Sequence, residues 1–106
     1  MLNNPKDILK TINSIAIVGI SSKEEKDSYK VMKFLIERGY KVFPVNPNEE
    51  GEYILGRKCY KNISDIDDEV DMVDVFRKKE FVYEVTKEAI KINAKVLWTQ
   101  LDIFCE

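Results

Sequence analysis

Apolar residues follow two alternating rhythms along this chain. Residues 15–19, IAIVG, are an unbroken apolar run closing on a glycine, the pattern of a strand buried on both faces. From Ser28 the spacing turns helical: Val31, Phe34 and Leu35 share one face, Lys30, Lys33 and Glu37 fall elsewhere, and Gly39 supplies a stop. YKVFPVN, 40–46, predicts a second strand that must end before Pro47. After it, 46–62 reads as a long connection with a short extended piece near 53–55, and SDIDDEV, 64–70, as a turn or short helix capped by Ser64. MVDVF, 72–76, predicts a third strand. KEFVYEVTKEAIKI, 79–92, predicts a second amphipathic helix with Phe81, Val82, Val85, Ala89 and Ile90 inward, and AKVLWTQL, 94–101, a fourth strand.

Strand and helix alternate, so the fold class is α/β, with a parallel sheet and right-handed crossovers in one domain over residues 1–106.

Composition narrows the function. With Lys+Arg 17 against Asp+Glu 19, scattered along the chain, there is no basic face for nucleic acid. Histidine is absent, which removes histidine-based acid–base catalysis and the common zinc centres. Asp67, Asp68, Glu69 and Asp71 read as solvated loop acids, so no metal site is expected. Asp74, inside an apolar strand, requires a partner for its charge. Cys59 and Cys105 match no CxxC spacing and read as free thiols. With no apolar signal core and no run of membrane-spanning length, a cytoplasmic protein is expected.

In a parallel α/β sheet, ligands lie beyond the carboxyl ends of the strands. Four clusters stand there: Gly19-Ile20-Ser21-Ser22-Lys23, Pro44-Val45-Asn46-Pro47, Val75-Phe76-Arg77 and Trp98-Thr99-Gln100. Gly19 permits close approach, Ser21 and Ser22 offer hydroxyls, Lys23 adds a positive charge, and the helix that follows starts with unsatisfied N–H groups. The cluster suits a phosphate or pyrophosphate; it also suits a plain strand–helix turn carrying a surface lysine. Ser28 fits a helix N-cap as well as a ligand contact. Phe76 and Trp98, being strand-borne aromatics, read first as core. A nicotinamide dinucleotide is disfavoured, because G-x-G-x-x-G is absent and the second strand ends in Val45-Asn46-Pro47 rather than an acid. No GK[ST] follows the glycine, which excludes a P-loop. No nucleophile is paired with a base, so the chain is expected not to be an enzyme by itself.

The segments VGISSK…KDSYKV, GYKVFPVNPN, ILGRKCYKNISDI, VDMVDVFRK and AKVLWTQL, in this order and spacing, resemble the small CoA-binding domain proteins. Those are Rossmann-like domains related to the CoA-binding domain of succinyl-CoA synthetase. The resemblance covers residues 12–101. It implies CoA or acyl-CoA as ligand, with Gly19, Ser21, Ser22 and Lys23 at its phosphates and Val45, Asn46 and Pro47 against the adenosine end. Val75, Phe76 and Arg77 would flank it after the third strand, and Gln100 would close the far side. It also implies a Rossmann-like three-layer sandwich with strand order 3-2-1-4, and a further helix and strand after the fourth strand. Here Asp102 stands where the family has glycine and the sequence ends at Glu106, so the carboxyl end reads as shortened and strand 94–101 as an exposed edge. Either the sequence is a piece of a longer protein, or strand 94–101 pairs with a second copy or a partner chain. The alternatives are the CoA-binding part of an acyl-CoA synthetase or ligase with its catalytic residues elsewhere, or a domain that binds a dinucleotide or another protein.

Overall fold

The structure, a computed structural model, describes residues 11–99. Among these described residues, six strands and two α-helices follow in the order β1 (Ser14–Val18), α1 (Asp27–Glu37), β2 (Lys41–Val45), β3 (Tyr53–Ile54), β4 (Arg57–Lys58), β5 (Met72–Val75), α2 (Lys79–Lys91) and β6 (Val96–Thr99). Short 3-10 turns lie at Pro47–Glu49 and Ile63–Asp65. The four strands predicted from the sequence are β1, β2, β5 and β6. The extended piece near 53–55 is half of a small antiparallel hairpin, β3–β4.

All pairings in the main sheet are parallel. Side-chain alternation sends Ile15, Ile17 and Met72 to one face, where Met32 and Leu35 of α1 cover them. It sends Ala16, Val18, Val73 and Val75 to the other, where Val85 and Ala89 of α2 and Ile63 and Ile66 of the long connection cover them. Two helices on opposite faces of one parallel sheet make the Rossmann-like α/β sandwich.

The strand order departs from expectation. The sheet runs β2-β1-β5-β6, which in the predicted strands is 2-1-3-4, not 3-2-1-4. Pro44 marks the reason. Proline has no N–H to give a sheet ladder and belongs on an edge strand. Pro44 stands in the middle of β2, and its carbonyl accepts the Tyr60 N–H at 2.9 Å from the connecting segment rather than from another full strand. A third strand cannot pair along that edge, so the chain recrosses β1 and lays β5 against its other side. β5, with all four residues buried, takes the interior place.

The helix faces are also shifted. In α1 the buried residues are Ser28, Met32 and Leu35, while Phe34 is 48% exposed. In α2, Val85 and Ala89 are buried and Val82 packs partly against them, while Ile90 is exposed and Phe81 stands outside the buried core at 42% exposure. Gly39 ends α1 as expected, at φ 92°, with its N–H bonded to the Ile36 carbonyl at 2.9 Å. The 3-10 turn at Ile63–Asp65 is capped by Asn62 rather than Ser64: the Asp65 carboxylate accepts the Asn62 N–H at 3.1 Å. The Ser64 hydroxyl instead donates to Glu88 of α2 at 3.1 Å. Among the described residues every buried polar side-chain atom has a partner, Asp74 included, and no helix is long and apolar enough to cross a membrane.

Candidate functional site

The chain leaves β1 for β2 on one side and returns to β5 on the other, so the carboxyl ends of β1 and β5 flank the point where strand order reverses. That is where open α/β sheets bind ligands. Gly19 sits on this divide at φ 87°. Its N–H donates to the Val45 carbonyl of β2 at 2.8 Å, and the Phe76 N–H donates to the Val18 carbonyl at 2.8 Å. A Cβ built on Gly19 would fall onto the Phe76 carbonyl oxygen and lie 2.9 Å from Cδ of Arg77. The glycine is therefore explained by the close approach of the β5 end.

Beyond Gly19 the loop folds back on its own hydroxyls. The Ser28 hydroxyl accepts the Ser21 N–H at 3.0 Å, and the Ser21 hydroxyl accepts the Lys23 N–H at 3.1 Å. Ser28 is thus neither the helix cap, a place held by Lys26, nor an exposed contact; it ties the loop from inside the first turn of α1. Ser22 behaves differently. Its N–H and its hydroxyl both donate to one carboxylate oxygen of Glu49, at 3.3 and 3.0 Å. Lys23 is exposed at the tip.

Glu49 is delivered by the segment after β2. The Asn46 side chain donates to the Ile20 carbonyl at 2.8 Å and accepts the Asn48 N–H at 2.9 Å, so it joins the β1 and β2 loops and nucleates the turn together. Pro47 opens that turn at its first position, where a missing N–H costs nothing. Beneath lies Cys59, fully buried, its thiol directed at the Asn46 carbonyl at 3.7 Å. Burial pushes its pKa up to about 11, with Glu49 and Glu50 adding to the rise against the Asn46 contact, so it stays an unreactive thiol near neutrality.

On the α2 side of the same edge, Val18, Val45, Pro47, Phe81 and Val85 wall a cavity of about 140 Å³. Lys61, Asn62, Arg77, Glu84 and Glu88 provide its polar lining. The Arg77 guanidinium stacks over the Phe81 ring at 4.3 Å, which fixes its direction. The predicted residues Gly19, Val45, Asn46, Pro47, Phe76 and Arg77 thus meet at one edge. Val75 and Phe76 are buried core residues, packed into the clusters on opposite faces of the sheet, and neither lines this cavity. Trp98 is half-buried against the α1-side core. Gln100 lies outside the described residues. Sequence reasoning missed Glu49, Lys61, Asn62 and the polar residues of α2. Lys61 and Asn62 reach the site because Tyr60 pairs beside Val45 at the β2 edge, a placement set by a hairpin whose position no local pattern reveals.

A family model described as a CoA binding domain matches residues 13–106. The chain belongs to the CoA-binding domain family. Among its relatives is the uncharacterized protein YneT of Bacillus subtilis, 36% identical over 95 residues, spanning 90% of this chain and 69% of that protein. Another is the ADP-forming acetate–CoA ligase I subunit alpha of Pyrococcus furiosus, 40% identical over 100 residues, which are 91% of this chain but only 20% of the ligase subunit. A solved structure of a hypothetical protein from Pyrococcus horikoshii superposes with a TM-score of 0.82 at 48% identity, covering 88% of this domain and 64% of that chain.

The residues present fit such a ligand in character. Ser22 already holds an anionic oxygen, that of Glu49; β2 itself ends in Val45-Asn46-Pro47 without an acid; and Lys23, Lys61 and Arg77 stand around the edge beside Glu84 and Glu88. The cavity is small beside the roughly 300–1,000 Å³ of ordinary ligand pockets. A molecule as long as CoA would place one part in it and lie along the edge with the rest.

Proposed function

We propose that this domain binds CoA or acyl-CoA as a single unit, residues 1–106, and catalyses nothing by itself. The pairing of a β1 loop whose Ser22 donors hold an anionic oxygen with a second strand that ends in Val45-Asn46-Pro47, without an acid at the ribose position, supports this reading most. A nicotinamide dinucleotide would need the reverse at β2, an acid for its ribose hydroxyls. Ser21, Ser22 and Lys23 would meet the phosphates, with Gly19 giving the room. Val45, Asn46 and Pro47 would line the adenosine end, Asn46 chiefly by holding the two loops together. Arg77 would supply a fixed cation beside Val75 and Phe76, and Gln100 would close the far side. The absence of histidine in the sequence and the raised pKa of Cys59 support a binding role without chemistry.

Isothermal titration with CoA tests this. Saturable one-to-one binding is expected below about 1 mM ligand, a free energy more favourable than roughly −4 kcal/mol, with no fluorescence change when NADH is titrated instead. A folded protein giving no heat at millimolar CoA would overturn the reading.

The similarity to one fifth of the acetate–CoA ligase subunit favours a second reading, in which the domain is the CoA-holding part of an acyl-CoA ligase. The reaction would then need residues on another domain or chain. An acyl-CoA ligase assay of the protein with the partners it copurifies with separates the two readings.

A further inference from the structure

The Ser22–Glu49 contact has a consequence for ligand binding that rests on the CoA reading and goes past it. The Ser21 N–H is taken by the Ser28 hydroxyl of α1 and the Lys23 N–H by the Ser21 hydroxyl, which leaves Ser22 as the residue whose N–H and hydroxyl converge on one acceptor. That acceptor is a carboxylate oxygen, and a carboxylate and a phosphate compete for the same kind of paired donor. The approach is built in at both ends. Asn46 bonds the Ile20 carbonyl two residues before Ser22, the Glu49 N–H closes the 3-10 turn on the Asn46 carbonyl at 3.0 Å, and Gly51 N–H anchors the exit of that turn to the Cys59 carbonyl at 2.9 Å. The turn that carries Glu49 is thereby bolted to the loop that carries Ser22, and only the glutamate side chain is left to swing.

We propose that Glu49 is an internal competitor for the phosphate loop: its carboxylate occupies the Ser22 donors, and a ligand phosphate must displace it to bind. Such a competitor sets specificity. A monocarboxylate gains nothing by replacing another carboxylate, whereas a phosphate ester brings more charge and further acceptor oxygens for Lys23. Once displaced, the glutamate stands near the incoming anion and repels it, so the residue holds affinity down and keeps exchange of the ligand fast.

The test is calorimetric titration of the wild type, Glu49→Gln and Glu50→Gln with CoA and with pantetheine, which has the same arm without phosphates. Glu50→Gln removes an equal charge one residue away from the Ser22 contact and controls for general electrostatics. If the proposal holds, Glu49→Gln binds CoA about fivefold more tightly or better, Glu50→Gln changes it by less than about twofold, and pantetheine distinguishes none of the three. Equal CoA affinity in wild type and Glu49→Gln, or a gain shared by Glu50→Gln, overturns the competitor and leaves the CoA reading standing. Weaker binding by Glu49→Gln with an unchanged melting temperature also overturns it, since the glutamate would then be aiding the ligand. A total lack of CoA binding by all three proteins overturns both.

Discussion

Gly19 holds a backbone that other residues resist and also fills a space that no Cβ can enter. The two demands separate by experiment, because Gly39 has a similar φ, 92° against 87°, but open space where its Cβ would go. Gly39→Ala is expected to cost on the order of 1 kcal/mol, the price of the left-handed conformation alone. Gly19→Ala adds the clash with the Phe76 carbonyl and Arg77 and is expected to cost about 2–4 kcal/mol, read from urea midpoints. Equal losses at the two positions would show that β5 does not press on Gly19. At this scale the sequence was only half legible. The glycine and the serines were visible as loop chemistry, but the partners of the serines were not. Ser28 and Glu49 lie 7 and 27 residues from the groups they bind, and nothing local announces either contact. Cys59 likewise becomes inert only through burial that its neighbours in the sequence do not signal.

Elements are joined at the opposite, amino-terminal edge of the sheet by Asp71. Its carboxylate accepts the Asn13 and Ser14 N–H groups at 2.8 and 3.3 Å, and Lys95 approaches at 3.6 Å. The Ser14 hydroxyl donates to the Glu69 carbonyl and accepts the Asp71 N–H, while the Asp71 carbonyl takes the N–H groups of Lys95 and Val96. One residue thus ties the starts of β1, β5 and β6. The Asn13 N–H chiefly, helped by Ser14 and Lys95 against the opposing effect of burial, holds the Asp71 carboxyl below its ordinary 3.8. A carboxyl with a lowered folded-state pKa stabilises the fold above its unfolded value and loses that contribution as pH falls through the folded one. Asp71→Asn is therefore expected to be less stable than wild type by roughly 1–3 kcal/mol at pH 7, with the gap narrowing as pH falls below 3.8. Denaturant midpoints measured across that range check it; a gap that stays constant or widens in acid contradicts the assignment. Sequence reading took Asp71 for a solvated loop acid, because its partners come from strands that meet it only in the folded sheet. The strands themselves were legible, since period and β-branching are local. The helix faces were less so: Phe34 and Ile90, apolar residues at the margin of their stripes, are exposed.

For the whole molecule the decisive feature is topology. Alternating elements specify the α/β class, but the order 3-2-1-4 requires a third strand along the outer edge of β2, where Pro44 has no N–H to offer. The corrected order moves the reversal of the chain to the gap between β1 and β5, which is why Gly19 and Arg77, 58 residues apart in sequence, become neighbours. It also brings Lys61 and Asn62 to the edge through the β3–β4 hairpin, an excursion too short to carry a periodicity of its own. Everything proposed about function depends on that edge receiving the ligand. Amide chemical-shift mapping of the ¹⁵N-labelled protein during CoA titration addresses it most directly. The account predicts that the largest shifts cluster at Gly19 to Lys23, Asn46 to Glu49, Lys61 to Asn62 and Arg77, while the Asp71 edge stays still. Saturable shifts centred on the amino-terminal edge or the outer face of α2, with the Gly19 loop unmoved, would contradict it.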